Sequence, residues 1–369
     1  MAVTSMDLIE PKGAAQVYIV VLNWNGWEDT LACLESIMRS DYPAFRVIVC
    51  DNASTDGSPE RIKAWAAGKL EPLRSPAETE RRYSPIAKPI ACLEITHAEA
   101  QTMARSLPDA PLTLLHTGGN LGYAGGNNAG LRYALARGDA DYCWVLNNDL
   151  VIASDALSRL VERMSEQLEA GLCGSVLLDY HAPERVQALG GATYNPWLGT
   201  HRAIGAGASA GRRIDREAVE RRMSYVIGAA LFVSRRWLDE IGLLCEDYFL
   251  YFEEIDWAVR GRGRGRFQLA FAPRSRVYHK GGGSTGRPSQ SPAADYLALH
   301  NRLRFTRKHI PWALPTVWLG FLLVLANRLR RGQFDRIIPI LAIMLGGAPN
   351  TRQFTSSKKS VERWHERQV

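Results

Sequence analysis

The stretch Trp-Val-Leu-Asn-Asn-Asp at 144–149 constrains this chain most. An apolar run fit for a buried strand stops abruptly at three polar residues, the last of them the carboxylate Asp149. Two earlier runs behave alike: Val-Tyr-Ile-Val-Val-Leu at 17–22 stops at Asn23, and Phe-Arg-Val-Ile-Val-Cys at 45–50 stops at Asp51. Short, continuous, β-branched runs mark strands covered on both faces. Between the first two, Leu31, Leu34, Ile37 and Met38 recur at helical spacing within 27–39. A dense turn cluster at 51–58 leads to Pro59, which suits the first turn of a helix. Further strands are expected at 112–116 and 142–146, with a helix running through Ala136 between them. Such alternation builds a mostly parallel α/β sheet with helices on both faces and right-handed crossovers. Ligands of open α/β sheets bind just outside the carboxyl ends of the strands, where Asp51 and Asp149 fall.

The second half is more mixed. Strands are expected at 176–179, 226–233 and 267–272, and a helix at 255–260. Glycine-rich 187–211 reads as a loop. Residues 68–110 break the rhythm with prolines and weak periodicity, and are expected to be a surface insertion, partly helical near 98–105.

A formal charge of +7 and a pI near 9.1 fit a polyanion or an anionic membrane surface as partner. The charge is clustered: Arg302, Arg304, Arg307 and Lys308 precede an apolar run at 312–326, and Arg328, Arg330 and Arg331 follow it. That run is shorter than the roughly 20 residues a spanning helix needs, and Pro315 is expected to interrupt it. With Trp312 and Trp318 it is expected to lie on a membrane, aided by a second run at 337–345. Packing on the core or on a second subunit is the alternative. The six cysteines show no C-x-x-C spacing, so neither a zinc site nor a disulfide framework is expected, which suits the reducing cytosol. Residues 1–15 read as a tail and not as a secretory signal.

Several side chains carry chemistry. Asp51 can accept the imide N–H of a uracil or thymine, while Asn52 and Ser54 can bind a ribose or cap the next helix; Asp56 and Ser58 suit a turn and cap. Residues 118–130 read as a loop leading into the helix through Ala136, and its six glycines can let backbone N–H groups cradle a phosphate, with Asn120 and Asn127 placed to reach a ligand. This is neither the dinucleotide fingerprint nor a P-loop. Asp149 can hold a divalent cation against a phosphate, or merely form a strand-end turn. Glu254 is the candidate general base, in an aromatic setting of Tyr248, Phe249, Tyr251, Phe252 and Trp257 that raises a carboxyl pKa. Glu253, Glu254 and Asp256 would equally suit the first turn of a helix. His279, followed by three glycines, can complete the cation's shell or contact a diphosphate. Together these suggest an enzyme acting on a nucleotide-activated substrate.

In this order the motifs resemble the inverting, GT-A-fold glycosyltransferases of family 2, especially the rhamnosyltransferase-like bacterial branch. The matching pieces are Val-Val-Leu-Asn-Trp-Asn-Gly at 20–26, Asp-Asn-Ala-Ser-Thr-Asp-Gly-Ser at 51–58, Gly-Asn-Leu-Gly-Tyr-Ala-Gly-Gly-Asn-Asn at 119–128 and Leu-Asn-Asn-Asp at 146–149. Gly-Ala-Ala-Leu-Phe at 228–232, Phe-Leu-Tyr-Phe-Glu-Glu-Ile-Asp at 249–256 and His-Lys-Gly-Gly-Gly-Ser at 279–284 complete the set. The resemblance implies a GT-A mixed sheet over 16–290 and a helical, basic and apolar extension over 291–369. It also implies a nucleotide-diphosphate sugar donor (dTDP-rhamnose or a UDP-sugar), Mg2+ or Mn2+, and inverting transfer to a hydroxyl of a glycan or lipid-linked acceptor. The setting would be cell-surface polysaccharide synthesis at the cytoplasmic face of the membrane, with no nucleic acid partner.

Carried over residue by residue, Asp51 would read the base, Asp149 and His279 would bind the metal, and Glu254 would be the base. Asn23, Asn25, Asn52, Asn120, Gly122, Asn127 and Asn148 would line the nucleotide-sugar site, and Asp256 and Trp257 would meet the acceptor. Asn147 stands where the family's metal motif has its first Asp, and Glu254 where Asp is commoner. Two other readings compete. A sugar-phosphate nucleotidyltransferase would carry a basic Gly-rich loop early, yet Asn-Trp-Asn-Gly at 23–26 has no Lys or Arg. A non-catalytic nucleotide-sugar-binding scaffold would not need Asp149, Glu254 and His279 together.

Overall fold

The structure, a computed structural model, describes residues 13–71, 86–263, 265–281 and 292–347. The expected rhythm opens it: β1 (Val17–Asn23), α1 (Trp27–Ile37), β2 (Phe45–Asp51) and α2 (Ser58–Ala66). Then come β3 (Cys92–Thr96), α3 (His97–Thr102), β4 (Leu112–His116), α4 (Gly122–Arg137), β5 (Tyr142–Asn147), β6 (Leu150–Ile152), α5 (Ala156–Glu166) and β7 (Ala170–Asp179). The second half holds β8 (Val186–Leu189), β9 (Gly191–Asn195), β10 (Thr200–Ala203), α6 (Arg216–Arg222), β11 (Tyr225–Val226), β12 (Ala230–Ser234) and α7 (Arg235–Ile241). It closes with α8 (Glu253–Arg262), β13 (Gln268–His279), α9 (Pro292–His309), α10 (Leu314–Arg330) and α11 (Ile337–Met344).

The main sheet runs β3-β4-β2-β1-β5-β12-β7-β13-β6, with β8 added on β7. Its left half is parallel, and β12 is an antiparallel strand between β5 and β7. Alternate residues of β1 feed two cores. Val17, Ile19 and Val21 pack with Leu31 and Leu34 of α1, while Tyr18 and Val20 face Leu131 and Ala134 of α4. Cover on both sides is why these strands read as unbroken apolar runs.

Several expectations are corrected here. The stretch expected to be a glycine-rich loop at 118–130 is mostly helix, because α4 begins at Gly122. A Cβ on Gly126 would come within 2.4 Å of Leu22 Cδ1, so glycine there lets the helix lie against the sheet. Part of the supposed surface insertion is sheet: β3 pairs in parallel with β4 at the edge, with Glu94 exposed and Ile95 buried. Residues 72–85 of that insertion lie outside the described residues. The supposed loop at 187–211 instead supplies β8, β9 and β10, the last two joining β11 in a small antiparallel sheet. Glycines and exposed polar residues hid that pattern. The single strand expected at 226–233 is two, since Val226 ends β11 in the small sheet and Ala230 begins β12 in the large one.

At the C-terminal end Pro315 does not interrupt the apolar segment. It sits in the first turn of α10, where a missing N–H has no helical partner to lose. A 3-10 turn at Pro311–Ala313 runs straight into α10, and together Pro311–Arg330 spans 20 residues, long and apolar enough by length and composition to cross a membrane. Its inner side, Val317, Phe321 and Leu325, packs with Leu303, Ile340 and Ile343. Trp318, Leu319, Leu322 and Leu323 are exposed. All six cysteines are free thiols, as expected.

Candidate active site

The carboxyl ends of β1, β2 and β5 lie side by side, with Asn23 opposite Asp51 and Leu22 opposite Asn147. Asp51 is buried; its Oδ1 accepts from Asn23 Nδ2 at 2.8 Å and its Oδ2 from the Ser54 N–H at 3.1 Å. A carboxylate offers about four lone-pair sites, so capacity for a further donor remains. Asn25 and Asn127 each keep one amide atom with no partner among the described residues, Nδ2 and Oδ1 respectively.

Other expected ligand contacts turn out to be framework. Asn23 is wholly buried: Nδ2 donates to Asp51 and Ser54, and Oδ1 accepts from Thr30 Oγ1. Asn52 Nδ2 donates to Asn120 Oδ1 and the Gly122 carbonyl, while Oδ1 accepts from the Leu121 N–H. With both amide hydrogens of Asn23 and of Asn52 in use within the protein, neither side chain has one to donate to a ribose. Asn120 Oδ1 also accepts from the Gly122 N–H, tightening the turn into α4. Asn148 Nδ2 donates to the Gly26 carbonyl and Thr30 Oγ1, both 3.1 Å, fastening the end of β5 to the turn after β1.

Antiparallel pairing of β13 with β6 brings His279 beside Asp149. His279 Nε2 lies 3.4 Å from Asp149 Oδ1. Gln187 Nε2 donates to the His279 carbonyl at 2.8 Å, so its Oε1 is the atom facing His279 Nδ1, also at 2.8 Å. That arrangement puts a proton on Nδ1 and leaves Nε2 facing the carboxylate oxygen. A ring nitrogen and a carboxylate oxygen this close could hold a cation together, and a second hydrogen bond fixing the ring is usual for metal-ligating histidines. Nitrogen with carboxylate oxygen fits Mn2+, and Mg2+ less well. No group of three or more His, Cys, Asp or Glu gathers among the described residues. Remaining ligands would therefore be phosphate oxygens and water. Gln187 had no signal in the sequence; it sits on β8, within the stretch read as a loop. Gly282, Gly283 and Ser284 lie outside the described residues.

Across the site, α8 opens with Glu253 and Glu254. The Oε2 atoms of both are buried without a hydrogen-bond partner among the described residues. Burial pushes the Glu254 carboxyl up to about 7. Burial, with the Glu254 charge beside it, pushes Glu253 well above the usual carboxylate range. The turn before β12 joins this side to the end of β5. The Ala229 carbonyl accepts from the Asn147 N–H at 2.9 Å, and the Gly228 carbonyl accepts from Tyr123 Oη at 2.5 Å. A Cβ on Gly228 would stand 3.8 Å from Glu254 Cδ, so this bare backbone borders the carboxylate. Burial raises the Tyr123 hydroxyl well above its ordinary pKa, with the charges of Glu253 and Glu254 adding to it, so it stays a proton donor. Tyr123 was overlooked although it lies inside the motif at 119–128.

The expected acceptor contacts of Asp256 and Trp257 are not borne by their geometry. Both side chains are wholly buried. Trp257 packs edge-on against Trp237 and donates Nε1 to the Gly242 carbonyl. Asp256 is ringed by Arg260, Lys308, His309 and Tyr248 Oη. Burial alone would raise its carboxyl, but hydrogen bonds from His309, Lys308 and Arg260 hold it well below the usual range. Helical phase explains this: beyond Glu254 the first turn of α8 rotates into the core.

A rhamnosyltransferase of Mycobacterium tuberculosis, N-acetylglucosaminyl-diphospho-decaprenol L-rhamnosyltransferase, is 26% identical over 65% of this chain and 80% of its own length. A low-salt glycan biosynthesis hexosyltransferase of Haloferax volcanii is 24% identical over 51% of this chain and 59% of its own. The crystal structure of GalNAc-T7 with UDP, GalNAc and Mn2+ superposes with a TM-score of 0.52 at 13% identity, over 80% of this chain and 48% of that one, which shows the shared GT-A fold. Residues 18–82 and 95–242, more than half of the chain, match the family described as glycosyl transferase family 2. The chain is thus a glycosyltransferase that belongs to glycosyl transferase family 2 and resembles its rhamnosyltransferase-like members.

Proposed function

We propose that the protein transfers a sugar, with inversion, from a pyrimidine nucleotide-diphosphate donor to a hydroxyl of a lipid-linked glycan, with Glu254 as the base. The observation that carries this is the Glu254 carboxylate: its Oε2 is buried without a hydrogen-bond partner among the described residues, and burial pushes the group up to about 7. A base is most effective when its pKa lies near the working pH. In the proposed step the acceptor oxygen forms a bond to the anomeric carbon as its proton passes to Glu254. The bond from that carbon to the diphosphate breaks on the opposite face, and the nucleoside diphosphate leaves with the electron pair.

Asp51 would accept from the imide of the base, and Asn25 and Asn127 have unpartnered amide atoms to offer the sugar or phosphates. Mn2+ or Mg2+ between Asp149 and His279 would supply positive charge to the leaving diphosphate. dTDP-rhamnose is the proposed donor and an N-acetylglucosaminyl-diphospho-polyprenol the proposed acceptor, by likeness to the mycobacterial relative. A lipid-linked acceptor fits the outer side of α10 and α11, where Trp318, Leu319, Leu322, Leu323, Ile338 and Leu341 are exposed and Arg330 and Arg331 stand exposed at the C-terminal end of α10. Apolar residues with basic neighbours favour a helix lying on an anionic bilayer, which would place the protein at the inner face of the membrane.

The test is turnover of dTDP-rhamnose with that acceptor in vesicles, for the native chain and Glu254→Gln. Loss of transfer with dTDP affinity kept is the expected result. Near-native turnover in the variant would remove Glu254 from the role.

A further inference from the structure

The loop that delivers Glu254 is held in an unfavourable conformation by a helix outside the sheet. Phe249, Tyr251 and Phe252 have φ of +61°, +70° and +79°. Bulky residues rarely adopt this left-handed region, and such strain persists only where surrounding structure over-determines it. Two restraints do so here. From α4, the Tyr123 N–H donates to the Phe249 carbonyl at 2.6 Å, and Gly122 leaves room where a Cβ would stand 2.3 Å from that oxygen.

The other restraint is Asn301 on α9, buried to 1% exposure. Its Nδ2 donates to the carbonyls of Tyr248, Leu250 and Tyr251 at 2.8, 2.8 and 3.0 Å. An amide NH2 has two hydrogens, so one is shared. A single side chain thereby fixes three peptide planes in the segment leading to Glu253 and Glu254. The same helix continues the grip: Phe305 packs on Phe252, and Lys308 and His309 hold Asp256 one turn beyond. The α8 N-terminus has no side-chain cap of its own, so its direction depends on these outside contacts.

We infer that Asn301 is a positioning residue for Glu254: its amide locks the strained 248–252 backbone in the conformation that aims this carboxylate into the site. The inference rests on Glu254 being the base. It gives α9 a part in the reaction although no atom of that helix need touch substrate.

Asn301→Asp keeps the size of the side chain and removes the donating hydrogens. Three readouts on the full-length chain test it: turnover with dTDP-rhamnose and the N-acetylglucosaminyl-diphospho-polyprenol, calorimetric dTDP binding with Mn2+, and amide hydrogen exchange. Expected are a kcat lower by about 10²-fold, dTDP stoichiometry and Kd unchanged within about twofold, and faster exchange confined to 249–255, as misplacement of a reacting group by about 1 Å implies. Turnover within about threefold of native, or unchanged exchange in that segment, would overturn the inference. So would a fall in dTDP stoichiometry parallel to kcat, which would mark a folding defect. Glu254→Gln, measured alongside, separates the two levels. If it is inactive while Asn301→Asp is normal, only the positioning role fails; if it stays active, the base and the positioning role fail together.

Discussion

The donor side and the catalytic side of the cleft handle their buried polar groups in opposite ways. At the ends of β1 and β2, Asn23, Asp51, Ser54 and Thr30 bond to one another, and Asn52 bonds to Asn120 and the turn into α4. At the start of α8, Glu253 and Glu254 keep unpartnered oxygens and sit behind a strained loop. A binding surface gains from rigidity, and a closed hydrogen-bond network supplies it. A base must take up a proton, so its carboxylate cannot be stabilised as a saturated anion. Burial without partners raises its proton affinity, and the resulting instability has to be offset by packing elsewhere, here by α4 and α9.

The comparison breaks first at Glu254. Glu254→Gln should lower kcat by about 10²–10⁴-fold, the usual scale of general base catalysis, with dTDP affinity in calorimetry unchanged. Next comes the metal arm. Gln187→Leu removes the acceptor that fixes the His279 tautomer, and Mn2+ affinity, read by electron paramagnetic resonance with dTDP present, should drop roughly 10–100-fold. Unchanged Mn2+ affinity would mean that His279 needs no orienting partner.

On the donor side, Asn52→Ala should act through the fold. Removing the acceptor of the Leu121 N–H and one of the donors to Asn120 Oδ1 should lower stability by about 1–3 kcal/mol in denaturant titration. A variant with native stability but weakened dTDP binding would show Asn52 to be a ligand after all. The smallest effect concerns pH. Glu254 acts deprotonated, so with its carboxyl pushed up to about 7, kcat should rise with pH through that value and level off above it. An acid limb near pH 4.5 would show that the carboxylate is solvated during turnover, removing the contrast with the donor side.

Much of the donor side was legible because its strands are unbroken apolar runs and its motifs sit at their ends. Asp51 and Asp149 are placed by two short apolar runs, and burial on both faces leaves an unmistakable pattern. The polar residues around them were found, but not their duties. Asn23 and Asn52 are asparagines in a phosphate-and-sugar setting by sequence, and only the network shows that their amides are used up within the protein. The second half was less legible because its strands are short, glycine-containing and paired out of order, as with β12 inserted antiparallel between β5 and β7.

By itself the sequence determined the alternation of strands and helices, the carboxylates at strand ends, the acidic pair at 253–254 and the apolar C-terminal run. Each rests on local periodicity or on residue type at a turn, and these survive in one dimension. Tertiary structure alone decided that Gln187 orients His279, that Asp256 and Trp257 face inward, and that Asn301 clamps the loop before Glu254. Those facts depend on contacts between segments far apart along the chain, whose meeting is set by sheet order and helix phase, and no local pattern encodes them.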